Sequence, residues 1–199
     1  MLEELMSQTS ILTRGRGFTL IELMVVLALV AILASLATPS YRSFMVNQQL
    51  TSASSDFLAS MLQARSEAMR RGLPVSILPT NGTSWDSGWY LSVANNSCAP
   101  TGTAFGNREA LNSMITIKAT TNAVSTGVTN KSFVSTNPSF TYSPVGFPVT
   151  SCASPYYSGA MNGRMVFQAT ETSREKQIVV SNSGRARICD PQRETCTAD

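Results

Sequence analysis

The fold of this chain is decided by the stretch RGRGFTLIELMVVLALVAILASLATP, residues 14–39. From Phe18 to Thr38 it holds 21 residues and a single charge, Glu22. In an α-helix these residues rise about 31 Å, which matches the hydrocarbon core of a bilayer. A charge at the centre of such a helix costs about 2.5–3.5 kcal/mol on insertion scales. We therefore expect Glu22 to have a function.

The flanks of this apolar run predict its orientation. Arg14 and Arg16 stand directly before it, and no Lys or Arg stands inside it. Because positive residues stay on the cytoplasmic side, the N-terminus is predicted to be cytoplasmic and everything after Pro39 to be exported. The alternatives are a cleaved secretory signal, with ASLA at 34–37 as the cleavage site, and a plain signal anchor. The length of the run and the helical pattern beyond it argue against cleavage there.

The composition fits one exported domain behind this run. The chain has 199 residues, a formal net charge of +3, 43% apolar residues and 14% charged residues, which is enough apolar surface for a core. It has no histidine, and it shows no P-loop, no G-x-S-x-G and no carboxylate pair at useful spacing. We therefore expect neither an enzyme nor a bound cofactor or metal.

The four cysteines indicate disulfides. They are Cys98, Cys152, Cys189 and Cys196, an even number in a domain predicted to be exported. Three pairings are open from the sequence. We favour Cys189–Cys196, because it closes a short local loop, and this leaves Cys98–Cys152. The short bridge would restrain the C-terminal tail and is worth roughly 2.5 kcal/mol in the loop-entropy model.

Helical periodicity continues beyond Pro39. One apolar stripe recurs every three, four or seven residues and predicts a buried helix face: Leu50, Ala53, Phe57, Met61, Ala64 and Ala68. We therefore predict one helix from Phe18 to Arg71, with a kink or a loosened turn at Pro39.

After residue 72 the pattern changes to short runs rich in Val, Ile, Phe and Tyr, separated by turn residues. The predicted strands are Val75–Leu78, Trp89–Val93, Met114–Ala119, Phe140–Tyr142, Arg164–Ala169, Gln177–Ser181 and Arg185–Cys189. Residues 120–139 are predicted to form a long polar loop. The expected fold is α+β, a long helix packed on antiparallel sheet.

The segment Gly17-Phe18-Thr19-Leu20-Ile21-Glu22 resembles the class III signal of type IV pilins and pseudopilins. The resemblance implies that prepilin peptidase cleaves between Gly17 and Phe18, that the new N-terminal Phe18 is methylated, and that residues 1–17 are a leader. It implies a transmembrane and filament-core segment at 18–38 in the inner membrane and a periplasmic domain at 39–199. In these proteins the glutamate pairs with the N-terminal amine of a neighbouring subunit, so the partners are other major and minor pilins or pseudopilins.

Other segments resemble the GspH/FimT branch, which contains pseudopilin H of type II secretion and the minor pilins FimT and FimU. They are QARSEA at 63–68, Trp89, the stretch 140–146 and the ending IVVSNSGRARIC at 178–189. This resemblance implies a place in a filament-tip complex.

The segment Gly184-Arg185-Ala186-Arg187 follows a turn signal. In a strand both arginines project from one face, and their planar guanidinium groups suit phosphate. A GRxR segment near the C-terminus is similar to the DNA-contact motif of FimT minor pilins, which implies binding of double-stranded DNA during natural transformation. Arg193 is a further candidate contact.

Two other interpretations of the arginines remain open. They could be a solvated edge of the sheet, or Arg187 could pair with Asp190 or Glu194. The protein would then be a pseudopilin H or a FimU-like minor pilin that acts only in assembly. From 160 to 193 there are six basic and three acidic residues, so positive charge concentrates at this end. No aromatic residue adjoins the arginines in sequence, which argues against selectivity for single strands.

Overall fold

The computed structural model describes the backbone at residues 17–118, 138–153, 157–160 and 162–197, and the side chains at these residues except 36–40 and 158–160. The chain divides into two compact units, Met1–Arg42 and Ser43–Asp199. Helix α1, Leu20–Arg71, is continuous through Pro39 and contributes residues to both. Within the described residues, no helix combines the length and the apolarity needed to cross a membrane.

The first unit contains the start of α1. The Thr19 hydroxyl accepts a hydrogen bond from the backbone N–H of Glu22 at 3.2 Å, as an N-cap residue does. The helix therefore begins at Leu20, two residues later than predicted. The apolar side chains described in this unit are exposed, Phe18 by 74%. The described residues of this unit therefore present apolar side chains at their surface.

In the second unit, α1 buries the face that the sequence pattern predicts. The buried apolar helix positions are Val46, Leu50, Ala53, Phe57, Met61, Ala64 and Ala68. The Phe57 ring centroid lies 4.9 Å from that of Trp89 and 5.9 Å from that of Phe167. The indole N–H of Trp89 donates to Ser60 Oγ at 2.9 Å, so this buried polar group is satisfied. The predicted packing face of the helix is confirmed.

Ten described strands follow the helix: β1 Val75–Pro79, β2 Trp89–Ala94, β3 Pro100–Arg108, β4 Ile115–Lys118, β5 Phe140–Tyr142, β6 Pro148–Ser151, β7 Ser158–Ala160, β8 Gly163–Ala169, β9 Glu175–Val180 and β10 Ala186–Cys189. One sheet has the order β3-β2-β1-β5-β6-β7 and the other β10-β9-β8-β4, and the paired strands are antiparallel. Side chains from both sheets join the helix in one core. This confirms the predicted α+β class.

The seven predicted strands are present to within two residues at each end, but β3, β6 and β7 were missed. β3 is largely exposed and contains Gly102 and Gly106, so it lacks the apolar alternation that indicates a strand. β6 begins with a proline, and β7 has three small residues. The loop predicted at 120–139 lies outside the described residues except for its last two positions.

Candidate nucleic-acid interface

The hairpin between β9 and β10 carries Arg185 and Arg187. The N–H of Ser181 donates to the carbonyl of Arg185 at 3.0 Å, and the N–H of Gly184 donates to the carbonyl of Ser181 at 2.9 Å. Gly184 has a φ of +79°, a left-handed conformation that side chains disfavour. These bonds define a tight turn closed by a glycine bulge, and Arg185 is the first residue after the bulge.

Side chains from α1 and β5 hold this turn in place by hydrogen bonds to two of its carbonyl groups. Arg65 of α1 donates from Nη1 to the Gly184 carbonyl and from Nη2 to the Ser183 carbonyl, both at 3.1 Å. The hydroxyl of Tyr142 donates to the Gly184 carbonyl at 3.3 Å. Burial raises the pKa of Tyr142 above its ordinary value, so the hydroxyl keeps its proton.

Gly184 itself is buried. The sequence predicts a DNA contact for it as part of the GRxR segment, whereas its burial indicates a structural role. Its carbonyl accepts hydrogen bonds from within the protein, and it offers almost no surface to a ligand. Gly184 therefore positions Arg185.

Arg185 projects away from the core. The next residue, Ala186, packs against the core, and successive residues of extended chain point to opposite sides. Arg185 is exposed, and within the described residues its guanidinium has no ion-pair or hydrogen-bond partner. Its five N–H donors remain open to an external anion.

Arg187 is paired within the protein, which agrees with one of the two alternatives that the sequence left open. Its side chain is 32% exposed, with Nη1 3.6 Å from Oε1 of Glu194. Its Nη2 donates to the carbonyl of Thr197 at 3.1 Å. A phosphate would therefore compete with an internal carboxylate at Arg187, whereas it meets no such competitor at Arg185.

Arg193 is exposed but has a carboxylate nearby. Its side chain is 85% exposed, and its Nε lies 3.7 Å from Oδ2 of Asp190. The same oxygen lies 3.6 Å from Nζ of Lys176. Such pairs near the surface are weak, about 0–1 kcal/mol. They nevertheless offset part of the positive charge that the sequence concentrates at this end.

The tail that holds Arg187 is closed by a disulfide. The structure pairs Cys189 with Cys196, and Cys98 with Cys152, the arrangement favoured from the sequence. The loop closed by the first bridge turns back on the carboxyl end of β10 and brings Glu194 to Arg187. The second bridge joins the β2–β3 connection to the residue after β6. Within the described ranges, no group of Cys, Asp and Glu residues is arranged to hold a metal ion.

The two residues that hold the turn, Arg65 and Tyr142, were not identified from the sequence. Arg65 lies 119 positions before Gly184, and Tyr142 comes from a strand of the other sheet. The segment QARSEA containing Arg65 had been noted for its resemblance alone. The spacing of residues within a short segment cannot indicate a contact between residues so far apart in the chain.

The predicted processing site lies directly before the start of α1. Gly17 and Phe18 precede the helix and are exposed. Glu22 is exposed in the first turn of α1, where a negative charge is favoured by the helix dipole.

An amphipathic helix packed on antiparallel sheets, preceded by an exposed apolar segment, defines a pilin-like protein. Residues 53–184 match the model of the family described as type II transport protein GspH, and residues 12–38 match the prokaryotic N-terminal methylation motif. The first match spans well over half of the chain, so the chain belongs to the GspH family. It is thus like a minor type IV pilin or pseudopilin, with the methylation motif of pilus and pseudopilus filament proteins.

Two curated pilins are similar in sequence to parts of this chain. It is 38% identical over 78 residues to a fimbrial protein of Pseudomonas aeruginosa, covering 39% of this chain and 51% of that protein. It is 46% identical over 44 residues to the type IV major alpha-pilin of Moraxella bovis, covering 22% and 28%. The chain thus spans about half the length, or less, of these curated relatives.

A solved structure shares the fold. The type IV minor pilin FimU of Pseudomonas aeruginosa superposes with a TM-score of 0.54 at 16% identity, covering 75% of this chain and 94% of that chain.

Proposed function

We propose that this protein is a minor type IV pilin at the pilus tip, which binds extracellular DNA without sequence preference for uptake in natural transformation and contributes to pilus assembly. The observation that carries the proposal is Arg185. It is an exposed guanidinium with no partner in the described part of the chain, on a turn fixed by Arg65 and Tyr142. A fixed turn lowers the entropic cost of placing the side chain against a phosphate.

The contact is electrostatic. Arg185 binds a phosphate of double-stranded DNA directly. Arg187 joins when phosphate displaces Glu194, and Arg193 adds an outer, partly compensated charge. With so few contacts the affinity falls in the non-specific range, about 10⁻⁴–10⁻⁶ M, and weakens as salt rises.

The proposal includes processing and export. Prepilin peptidase cleaves between Gly17 and Phe18, and residues 1–17 are the leader. Residues 18–38 lie in the inner membrane, with the N-terminus cytoplasmic, before they enter the filament core, and residues 39–199 are periplasmic. The match to the methylation motif and the exposed apolar side chains of the first unit support this.

Glu22 has an assembly role in this proposal. Its carboxylate pairs with the methylated N-terminal amine of a neighbouring major or minor pilin. Its exposure in the first helical turn supports the role, since it can reach a neighbouring chain. A buried charge requires such a partner once the filament excludes water.

The second candidate is an assembly part without DNA binding: a type II secretion pseudopilin H, or a minor pilin like FimU. The ion pair between Arg187 and Glu194 favours it, because half of the GRxR segment is then engaged within the protein. The description of the matched family, type II transport protein GspH, also favours it.

The two candidate functions predict different phenotypes for cells that carry the double variant Arg185→Gln with Arg187→Gln. Transformation, twitching and protein secretion are measured together. The first candidate predicts that transformation is lost while pilus assembly, read from twitching, is retained. A matched control is Arg108→Gln with Lys118→Gln, which removes the same charge from two exposed positions outside the 160–193 segment. Normal transformation in the Arg185/Arg187 variant, at normal protein level, would return the protein to the second candidate.

A further inference from the structure

The β5–β6 connection repeats the geometry of the β9–β10 turn. In SPVGF, residues 143–147, the N–H of Ser143 donates to the carbonyl of Phe147 at 2.8 Å, and the N–H of Gly146 donates to the carbonyl of Ser143 at 2.9 Å. Gly146 has a φ of +84°. SNSGR, residues 181–185, has the same two bonds and the same left-handed glycine. Phe147 and Arg185 therefore occupy equivalent positions in two equivalent turns.

The two turns touch at their glycines. A Cβ on Gly184 would overlap the carbonyl oxygen of Gly146 and would lie 3.3 Å from Cδ of Pro148. Gly146 and Pro148, which flank Phe147, thus contact Gly184, which precedes Arg185. On the helix side, a Cβ on Gly146 would lie 3.1 Å from Nε of Arg65. One arginine therefore donates hydrogen bonds to one turn and lies close to the other.

Both end residues face outward. Arg185 is exposed, and the residue after it, Ala186, packs against the core. Phe147 is 48% exposed, and Val145 on the same turn is 67% exposed. An exposed aromatic ring thus lies on the turn that contacts the turn of Arg185. The sequence argument against single-strand selectivity considered sequence neighbours alone, and here the aromatic residue comes from 38 positions away in the chain.

We infer that the paired turns bind single-stranded DNA, with Phe147 stacking on an unpaired base while Arg185 binds the adjoining phosphate. The inference rests on the proposed function for the phosphate contact and adds a class of substrate to it. Every base has a π-face, so stacking needs no particular sequence. Bases in a duplex are stacked on one another and do not offer that face, so the contribution of Phe147 is specific to unpaired strands and frayed ends.

Binding of the full-length protein in a non-ionic detergent is measured by fluorescence anisotropy, with a labelled oligothymidine and with a duplex of the same length. In Phe147→Ala, the ratio of single-strand to duplex affinity falls about fivefold or more. Phe147→Leu keeps an apolar side chain but removes the ring, and the ratio should fall by a similar factor. Phe147→Trp keeps an aromatic ring, and the ratio should stay at the wild-type value. The matched control is Phe44→Ala, which removes a phenylalanine of similar exposure, 55%, from the helix and leaves the ratio unchanged.

An unchanged ratio in Phe147→Ala overturns the inference. If that variant also enters filaments poorly, Phe147 belongs to a contact between pilins instead. Arg185→Gln separates this failure from that of the proposed function. Weaker duplex binding in Arg185→Gln, with an unchanged ratio in Phe147→Ala, removes the stacking inference alone. Unchanged duplex binding in Arg185→Gln removes the DNA-binding function itself.

Discussion

Replacing Gly184 by alanine tests whether the turn is held as the structure shows. Gly184 and Gly82 both have left-handed backbones, with φ of +79° and +75°. At Gly82 an added Cβ meets no atom within 4 Å, whereas at Gly184 it would overlap the Gly146 carbonyl. Gly82→Ala is therefore a control for the backbone cost alone.

The two substitutions differ in magnitude. An alanine in the left-handed region costs about 1–2 kcal/mol at either position. At Gly184 the turn must also move, which breaks the two hydrogen bonds from Arg65 and the one from Tyr142. At about 0.5–1.5 kcal/mol each, these raise the total loss to about 2.5–6.5 kcal/mol. The melting temperature of Gly184→Ala should lie about 3–18 °C below that of Gly82→Ala.

The assay is urea unfolding of the fragment Ser43–Asp199, followed by the fluorescence of the buried Trp85 and Trp89. The free energy of unfolding is compared for wild type, Gly82→Ala and Gly184→Ala, with thermal melts as a second reading. Equal losses in the two variants would refute the reasoning, because the contact with Gly146 would then impose no constraint.

Three further outcomes concern the N-terminus and the tail. Mass spectrometry of the membrane-extracted protein should show a chain that starts at N-methylated Phe18, and Gly17→Val should retain the leader; a wild-type chain that starts at Met1 would contradict this. Glu22→Ala should leave membrane insertion intact, because a costly charge is removed, but should reduce filament incorporation; normal incorporation, read by immunoblot of sheared pili, would rule out the pairing role. Glu194→Gln should strengthen duplex binding by up to about fivefold, since a surface ion pair contributes about 0–1 kcal/mol; weaker binding, measured by anisotropy, would show that Arg187 needs Glu194 to meet phosphate.

The helix and most strands could be predicted because their signals are local. The stripe that includes Phe57 and Met61 repeats with the period of the helix, and its residues are buried. Strands with apolar alternation were found within two residues of their ends. β3 was missed because its exposed Gly- and Thr-containing sequence forms a strand through pairing with β2, and such pairing leaves little mark on the strand itself.

The candidate site was predicted in part, because only some of its features have a local signal in the sequence. The spacing of Arg185 and Arg187 gave their common face, and the inward position of Ala186 agrees with it. The sequence left a pair between Arg187 and Glu194 open, and the fold of the disulfide-closed tail decides it. Arg65 could not be predicted because it is adjacent to the turn only through the packing of the helix on both sheets.

The most direct test of DNA binding by Arg185 is the salt dependence of duplex binding in Arg185→Gln compared with Arg108→Gln. Both arginines are exposed, and each substitution removes one positive charge. The account predicts that the plot of log affinity against log salt becomes shallower by about one in Arg185→Gln, because one phosphate contact is lost. In Arg108→Gln the slope should stay at the wild-type value. Equal slopes in the two variants would contradict the claim that Arg185 contacts DNA.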